Sequence, residues 1–119
     1  PASVSNDTIE KAIKSKLSKK LHLECIHNYD PVYFDKNGFL CKTLQSAYED
    51  VTGMNGTPVT TTGGTYAKIM PNIVPFGPSF PGQKGIGHNP NEWMDRSDLI
   101  LNAKIYALSI VRLANGKNN

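Results

Sequence analysis

Apolar residues recur every three or four positions in three segments of the chain, and this spacing predicts three helices. The first is "SNDTIEKAIKSKLSKK", in which Asp7 and Glu10 have the spacing of a capping box. The second is "NGFLCKTLQSAYEDVTG", with Gly53 as its C-terminal stop. The apolar faces of these two helices consist of Ile9, Ala12, Ile13 and Leu17 in the first and Leu40, Leu44, Ala47, Tyr48 and Val51 in the second.

The third predicted helix is apolar on almost every side. It begins near Asp95 or Ser97, runs to Ala114 and is stopped by Gly116. One stripe contains Leu99, Ala103, Ala107, Ile110 and Ala114, and a second set, Ile100, Leu101, Ile105, Leu108 and Val111, widens it. A helix with so little polar surface is covered on more than one side. Because a domain of this size could hardly supply that cover alone, the pattern predicts a helix that packs on a larger sheet.

Three segments have the composition of strands. Residues 21–34 alternate in polarity, "TPVTTT" at 57–62 is rich in β-branched residues, and "NIVPFG" at 72–77 is an apolar run before a proline-glycine loop. Between the last two, "GGTYAKIM" is expected to open a short helix. Strands that alternate with helices indicate an α/β fold, with the last two strands in one sheet.

The composition is that of a soluble chain. Its 119 residues are 39% hydrophobic and 19% charged, with a formal net charge of +3, which fits one small domain or a piece of a larger one. Cys25 and Cys41 have no metal or redox spacing, which fits buried thiols in a reducing cytosol and leaves one disulfide open. No signal peptide or membrane-length apolar run is present. The first residue is Pro1, not methionine, which indicates processing or a start within a longer protein.

The first predicted helix is also basic. Its lysines, which lie mostly off the apolar stripe, are Lys11, Lys14, Lys16, Lys19 and Lys20. Such a helix could bind nucleic acid, but no aromatic residues are interleaved with the lysines, so a solvated face is favoured. We therefore expect neither nucleic acid nor a membrane among the partners.

His88 is the first candidate for chemistry. It lies in the polar loop "GIGHNPNEW", and loops at the ends of strands carry the sites of α/β folds. Neutral imidazole is a common zinc ligand, although a solvated loop histidine is the simpler alternative. A catalytic zinc needs about three protein ligands, and His22 and His27 lie far away on the first predicted strand, so co-ligands are expected outside this chain. Glu92 could orient His88, act as a general base, or simply favour the start of a helix.

The second candidate is the turn "TTTGGTY" at residues 60–66. A strand, two glycines and a helix start present free backbone N–H groups, which suit a carboxylate or phosphate. The alternative is a tight turn that needs glycine torsions. No lysine stands at the position that a nucleotide-binding phosphate loop requires.

Three stretches together resemble a known family: "DPVYFDKNGFLCKTLQSAYEDVTG", "TTTGGTYAKIMPNIVPFGPSFPG" and "HNPNEWMDRSDLILNAKIYALSIVRLA". In their order, spacing and amino-acid sequence they resemble the C-terminal part of bacterial di-zinc dipeptidases of the peptidase V, carnosinase and aminoacylase family, over about residues 20–115. The resemblance implies that residues 1–34 end a small α/β lid domain. It implies that residues 35–119 form the C-terminal part of a layered α/β catalytic domain.

The resemblance also assigns roles to individual residues. The terminal zinc ligand of the family's "H-x-x-N-E" segment corresponds to His88, with Asn91 and Glu92 following as residues that support it. The family's "G-G-T" segment, which helps to hold the free carboxylate of the dipeptide, corresponds to Gly63, Gly64 and Thr65.

The function that the resemblance implies is cytoplasmic hydrolysis of dipeptides with two zinc ions. The other zinc ligands, the general base and a substrate-clamping arginine would precede residue 1, in a missing N-terminal portion of the same enzyme. This chain would therefore contain no catalytic residue and be inactive alone. A second class of function stays open: a small autonomous α/β module that binds an anionic ligand at the glycine turn, without metal or catalysis.

Overall fold

The computed structural model describes residues 3–61, 63–77, 79–83 and 86–116. The chain divides into two compact units, each described here by itself. The first unit comprises Pro1–Phe34 and Thr62–Pro75, and the second comprises Asp35–Thr61 and Phe76–Asn119. The assignment of residues 1–34 to a lid domain and of residues 35–119 to a catalytic domain stays a prediction.

The first unit contains helix α1 (Asn6–Lys16), which ends four residues before the predicted stretch does, since Leu17 already has extended backbone. Its N-cap is Ser5, whose hydroxyl oxygen accepts a hydrogen bond from the backbone N–H of Thr8 at 3.2 Å. The predicted capping box of Asp7 and Glu10 is wrong: Asp7 lies in the first turn, and Glu10 forms an ion pair one turn further along. Ser5 takes the cap because its short side chain reaches an N–H of the first turn that has no partner within the helix. No residue of α1 is buried.

The second unit begins with helix α2 (Phe39–Thr52), which Gly53 ends as predicted. Gly53 is left-handed (φ 69°), and its N–H donates to the carbonyl of Glu49 at 2.8 Å. The carboxylate of Glu49 then holds the following loop, since its Oε1 accepts from Gln45 at 2.8 Å and from the backbone N–H of Gly56 at 3.0 Å. The hydrogen bond from Gln45, and next that from Gly56, hold the pKa of Glu49 below its ordinary value.

Helix α3 (Arg96–Asn115) packs against α2. The two helices run antiparallel, because Phe39 at the start of α2 lies against Gly116 at the end of α3, where a side chain would overlap the ring. The predicted bounds of α3 are confirmed, with Asp95 as N-cap and Gly116 as C-cap. The buried residues of this unit are Cys41, Leu44, Ala47, Asn102, Ile105 and Ser109 from the two helices, and Phe80 from the loop.

Hydrogen bonds and an ion pair from Arg112 of α3 also join the two helices. The guanidinium of Arg112 donates to Ser46 Oγ at 2.7 Å and to Asp50 Oδ2 at 2.6 Å. The interface also encloses Ser109, whose Oγ is buried without a hydrogen-bond partner. A buried hydroxyl without a partner costs about 1 to 3 kcal/mol, so apolar packing around it must offset that loss.

The α/β layering that the sequence predicts is not seen in the residues that the structure describes. Residues 21–34, 57–61 and 72–77 form neither strand nor helix, and residue 62 lies outside the described part. A strand is held by hydrogen bonds to a neighbouring strand, so a segment with strand composition is not a strand without a partner beside it. Val59, in the second of these segments, is 90% exposed. The short helix predicted after the glycine pair is confirmed, as one 3-10 turn, Tyr66–Lys68.

Candidate active site

The first candidate segment is the glycine turn, residues 63–68, in the first unit. Thr65 caps its 3-10 turn, because its Oγ1 accepts from the backbone N–H of Ala67 at 3.2 Å. Ala67 is buried, whereas Gly63, Gly64 and Thr65 are exposed. The cap uses the hydroxyl of Thr65 as an acceptor, which leaves the hydroxyl proton for donation to another group.

Gly64 does not need to be glycine for its backbone torsions or its packing. Its φ is not in the left-handed region, and a Cβ placed there would meet only the side chain of Lys68, with Nζ at 3.6 Å. The alternative that glycine is required for a tight turn therefore does not hold at this position. What glycine provides here is an open backbone surface with an ammonium group beside it, which suits an anion.

Lys68 is the residue of this segment that the sequence pattern did not reveal. No lysine stands at the position that a nucleotide-phosphate loop requires. The 3-10 turn brings Lys68, four residues after Gly64, back over the glycine. The signal that could have found it is this i, i+4 spacing across a predicted short helix.

The second candidate segment is the histidine loop, residues 86–92, in the second unit. The chain just before it is tied to α3 by Gln83, whose Nε2 donates to Asp98 Oδ2 at 2.5 Å while its Oε1 accepts from the backbone N–H of Phe80 at 3.2 Å. Further upstream, Tyr106 of α3 donates to the carbonyl of Phe76 at 3.3 Å. α3 therefore anchors the approach to the loop at two points.

His88 has left-handed backbone. Its φ is 64°, a region that costs a residue with a side chain roughly 1 to 2 kcal/mol. Asn91 is also left-handed, with φ 61°, and histidine and asparagine are both more frequent in this region than most residues with a side chain. The imidazole of His88 is exposed, and within the described residues it forms no hydrogen bond or ion pair. The loop thus presents the ring to solvent at a conformational cost that no hydrogen bond of the ring to a described residue offsets.

Within the described residues, neither Glu92 nor Asn91 forms a hydrogen bond or ion pair with the imidazole of His88. The carboxylate of Glu92 turns back toward the start of the loop, where its Oε1 lies 3.6 Å from the position of a Cβ on Gly87. The loop is held instead by a hydrogen bond from Asn89 Nδ2 to the carbonyl of Gly87 at 3.1 Å. A supporting role of Asn91 and Glu92 toward His88 stays a prediction.

The other histidines lie in the first unit, where His27 stacks on Tyr29 with 5.9 Å between ring centroids. Both His22 and His27 are exposed. In the part of the chain that the structure describes, no three histidine, cysteine, aspartate or glutamate side chains lie close enough to hold a metal ion. Among the described residues, then, His88 does not belong to such a group.

Comparison with known proteins gives a consistent set of relatives. Residues 3–112 match the model of peptidase family M20/M25/M40. A Beta-Ala-Xaa dipeptidase of Lactobacillus delbrueckii subsp. lactis is 33% identical over 113 residues, which is 95% of this chain. A Bacillus subtilis (strain 168) protein named "Putative dipeptidase YtjP" is 32% identical over 111 residues, or 93% of this chain. No solved structure matches the chain significantly.

The chain spans only part of these relatives: 24% of the Lactobacillus protein and 23% of the Bacillus protein. A relative from Staphylococcus epidermidis, also named as a dipeptidase, is 39% identical over 83 residues, and the match covers 18% of it. The family match nevertheless covers most of this chain, including the glycine turn and the histidine loop. On this evidence the chain belongs to peptidase family M20/M25/M40.

Proposed function

We propose that this chain is part of a metal-dependent dipeptidase, in which His88 supplies one metal ligand and the glycine turn helps to hold the free carboxylate of the dipeptide. The longer polypeptide of which it would be part is called the parent below. The observation that carries the proposal is the imidazole of His88, which is exposed, forms no hydrogen bond or ion pair with the described residues, and is displayed on left-handed backbone. Such conformations cluster at functional sites, where they position a group for binding.

The residues of this chain fit one position of a metal site. Peptidases of this family are generally metal-dependent, and neutral imidazole is a preferred ligand of zinc, which we propose as the metal, with two ions in the parent. When bound, zinc acidifies water and polarises a carbonyl. His88 would hold one ion by its imidazole nitrogen. The other ligands and the general base would belong to the rest of the parent, as would any group that Glu92 or Asn91 supports.

The glycine turn has three features that suit a carboxylate. The backbone at Gly64 is open, the hydroxyl of Thr65 retains a proton to donate, and the ammonium of Lys68 lies beside Gly64. Hydrogen bonds to a charged partner are among the stronger ones in proteins. A turn that fixes the C-terminal carboxylate positions the peptide bond for attack and favours substrates with a free C-terminus.

The layered α/β fold and the cytoplasmic location belong to the same proposal. In the parent, the segments with strand composition would gain partner strands, with residues 1–34 at the end of a lid and 35–119 in the catalytic domain. Both cysteines, Cys25 and Cys41, are free thiols, which supports a reducing compartment. The alternative of an autonomous anion-binding module draws on the same ammonium of Lys68 beside Gly64.

One comparison tests the proposal. The parent is expected to hydrolyse dipeptides and to lose this activity on chelation, whereas the 119-residue chain alone is expected to show no turnover. If the parent retains full activity after its metal is removed, the metal-dependent function is wrong. If instead the isolated chain binds a dipeptide by calorimetry as tightly as the parent does, the autonomous binding module is the correct function.

A further inference from the structure

The chain on either side of the histidine loop is bonded to one face of helix α3. Before the loop, Gln83 Nε2 donates to Asp98 Oδ2 at 2.5 Å. After the loop, Met94 Sδ accepts from Asn102 Nδ2 at 3.9 Å, a weak hydrogen bond because a thioether is a poor acceptor. Asp98 and Asn102 are four residues apart in the helix, so they lie on the same face in successive turns. Both flanks of the loop are therefore attached to a single helix.

The stronger of these two attachments is the one through the amide of Gln83. Its Oε1 accepts from the backbone N–H of Phe80 at 3.2 Å while its Nε2 donates to Asp98. A backbone N–H only donates and an ionised carboxylate only accepts, so the two partners fix which way the amide points. The backbone N–H of Gln83 also donates to the carbonyl of Phe80 at 3.2 Å. Because Phe80 is buried and stacks on Tyr48 of α2, the turn that Gln83 closes is held in the core of the second unit.

The histidine loop needs support from outside itself. His88 and Asn91 both have left-handed backbone, and a residue with a side chain keeps such a conformation only where the surrounding structure determines it. Gln83 and Asp98 are both half-buried, and a hydrogen bond to a charged group is stronger there than at an exposed surface. This hydrogen bond can therefore supply part of the constraint that the loop requires.

We propose that Gln83 and Asp98 are positioning residues, which hold the histidine loop in the conformation that presents His88 to the metal. This inference rests on the proposed function, because it takes His88 as a metal ligand. Neither side chain is assigned a contact with metal or substrate, since both act through the backbone of the loop. A ligand that is held in place before the metal arrives loses less freedom on binding. The hydrogen bond between Gln83 and Asp98 should therefore raise the affinity for the metal.

The test exchanges the donor and the acceptor of this hydrogen bond. Gln83→Glu keeps the size of the side chain and its acceptor for Phe80, but it sets a second carboxylate against Asp98. Adding Asp98→Asn restores a hydrogen bond, now donated from position 98 to position 83. Gln45→Glu is the matched control, because Gln45 donates to the carboxylate of Glu49 at 2.8 Å and both of these residues are also half-buried in the second unit.

Two quantities are measured for each variant. NMR order parameters of the backbone N–H groups report the order of the histidine loop in the 119-residue chain, and competition with a chelator gives the zinc dissociation constant of the parent. In Gln83→Glu we expect the order parameters of the loop to fall from about 0.85 to below about 0.6. Zinc binding should weaken by roughly 10-fold or more. The double variant should restore both quantities, and Gln45→Glu should change neither, even where it lowers the free energy of unfolding as much.

The inference is overturned if the loop has the same order in Gln83→Glu as in the wild type, if Gln45→Glu disorders the loop to the same degree, or if the double variant fails to restore its order. A different result would separate this inference from the proposed function. A loop that loses order in Gln83→Glu and regains it in the double variant, with unchanged zinc affinity throughout, supports the positioning role and defeats the assignment of His88 as a ligand.

Discussion

The glycine turn and the histidine loop have different proposed roles and are built by different physical means. The glycine turn is satisfied locally, since Thr65 caps its own 3-10 turn and Lys68 folds back over Gly64. In the histidine loop, His88 has left-handed backbone, and its ring forms no hydrogen bond with the described residues. The comparison shows that a single segment can supply the groups of a binding turn. A metal ligand, by contrast, holds an ion only together with other ligands from elsewhere in the fold.

The largest expected effect comes from His88→Ala in the parent. Loss of one ligand weakens the hold on one of the two proposed zinc ions, so turnover of dipeptides should fall by roughly 100-fold or more. Zinc per polypeptide, measured by elemental analysis, should fall with it. Because the imidazole is exposed and forms no hydrogen bond with the described residues, thermal stability of the metal-free protein should be unchanged. Two zinc ions and normal turnover in this variant would mean that His88 is a solvated loop histidine.

Thr65→Ala should weaken binding of the substrate and leave the zinc content unchanged. Loss of one hydrogen bond to a carboxylate costs about 1.5 to 3 kcal/mol, which lowers kcat/KM for dipeptides by roughly 10- to 150-fold. Thr65→Ser keeps the hydroxyl and the cap on Ala67 and should restore most of the loss. Zinc content should equal that of the wild type in both variants. A loss of zinc from Thr65→Ala would contradict the assignment of substrate binding to the glycine turn and of metal binding to the histidine loop.

Lys68→Gln should produce a smaller change of the same kind. An exposed charge contributes up to about 1 kcal/mol to binding of an anion and is screened by salt. KM for dipeptides should therefore rise by up to about 5-fold at low ionic strength and less at high ionic strength. Lys104→Gln, which removes the same charge from α3, is the matched control and should leave KM unchanged. An equal effect of both substitutions would assign the change to net charge alone.

The conformational cost of left-handed backbone at His88 can be measured as a change in the free energy of unfolding when glycine replaces the histidine. Glycine adopts left-handed backbone without strain but loses more freedom on folding, so His88→Gly should leave the free energy of unfolding unchanged or raise it by up to about 1 kcal/mol. Asn72→Gly is a useful control, since Asn72 is also left-handed (φ 58°) but belongs to the first unit. Urea unfolding of the 119-residue chain gives both values. A marked loss of stability in His88→Gly would show that the ring contributes to the fold.

Low pH should lower the stability of the second unit, because Glu49 becomes protonated. Because hydrogen bonds from Gln45 and Gly56 lower the pKa of Glu49 in the folded state, its contribution to stability is present above the unfolded pKa. That contribution is lost as the pH falls below the ordinary glutamate range of about 4 to 4.5 and through the folded value. Unfolding of the wild type and of Glu49→Gln is compared between neutral and acid pH. The variant should lose less stability over this range, and equal slopes would contradict the assignment.

The parts of the fold that local sequence decides were predictable. The bounds of α2 and α3 and the stop at Gly53 follow from apolar spacing and glycine, which act within a few residues. The cap of α1 was misplaced because Ser5 and Asp7 are both good capping residues, and only the geometry of the first turn separates them. The strands were not found in the described residues because strand pairing depends on distant partners.

The candidate site residues show the same contrast between features that local sequence determines and features that depend on the folded structure. His88 was proposed as a candidate from the type of its loop, but its left-handed backbone was not foreseen, because histidine, although enriched in that region, adopts it only in a minority of cases. Lys68 was missed because its position over Gly64 depends on a 3-10 turn rather than on a motif. The face of α3 that packs on α2 could not be chosen from the pattern either, since the helix is apolar on both sides.

The pairing of α2 with α3 has a consequence for synthesis of the chain on the ribosome. The whole segment from Gly53 to Asp95 separates the two helices, so α2 leaves the ribosome before the helix that covers it has been translated. At roughly 5 to 20 residues per second, this delay lasts seconds. During that time Cys41, Leu44 and Ala47 are open to chaperones and to other nascent chains, and the antiparallel pair closes only after translation has passed Arg112.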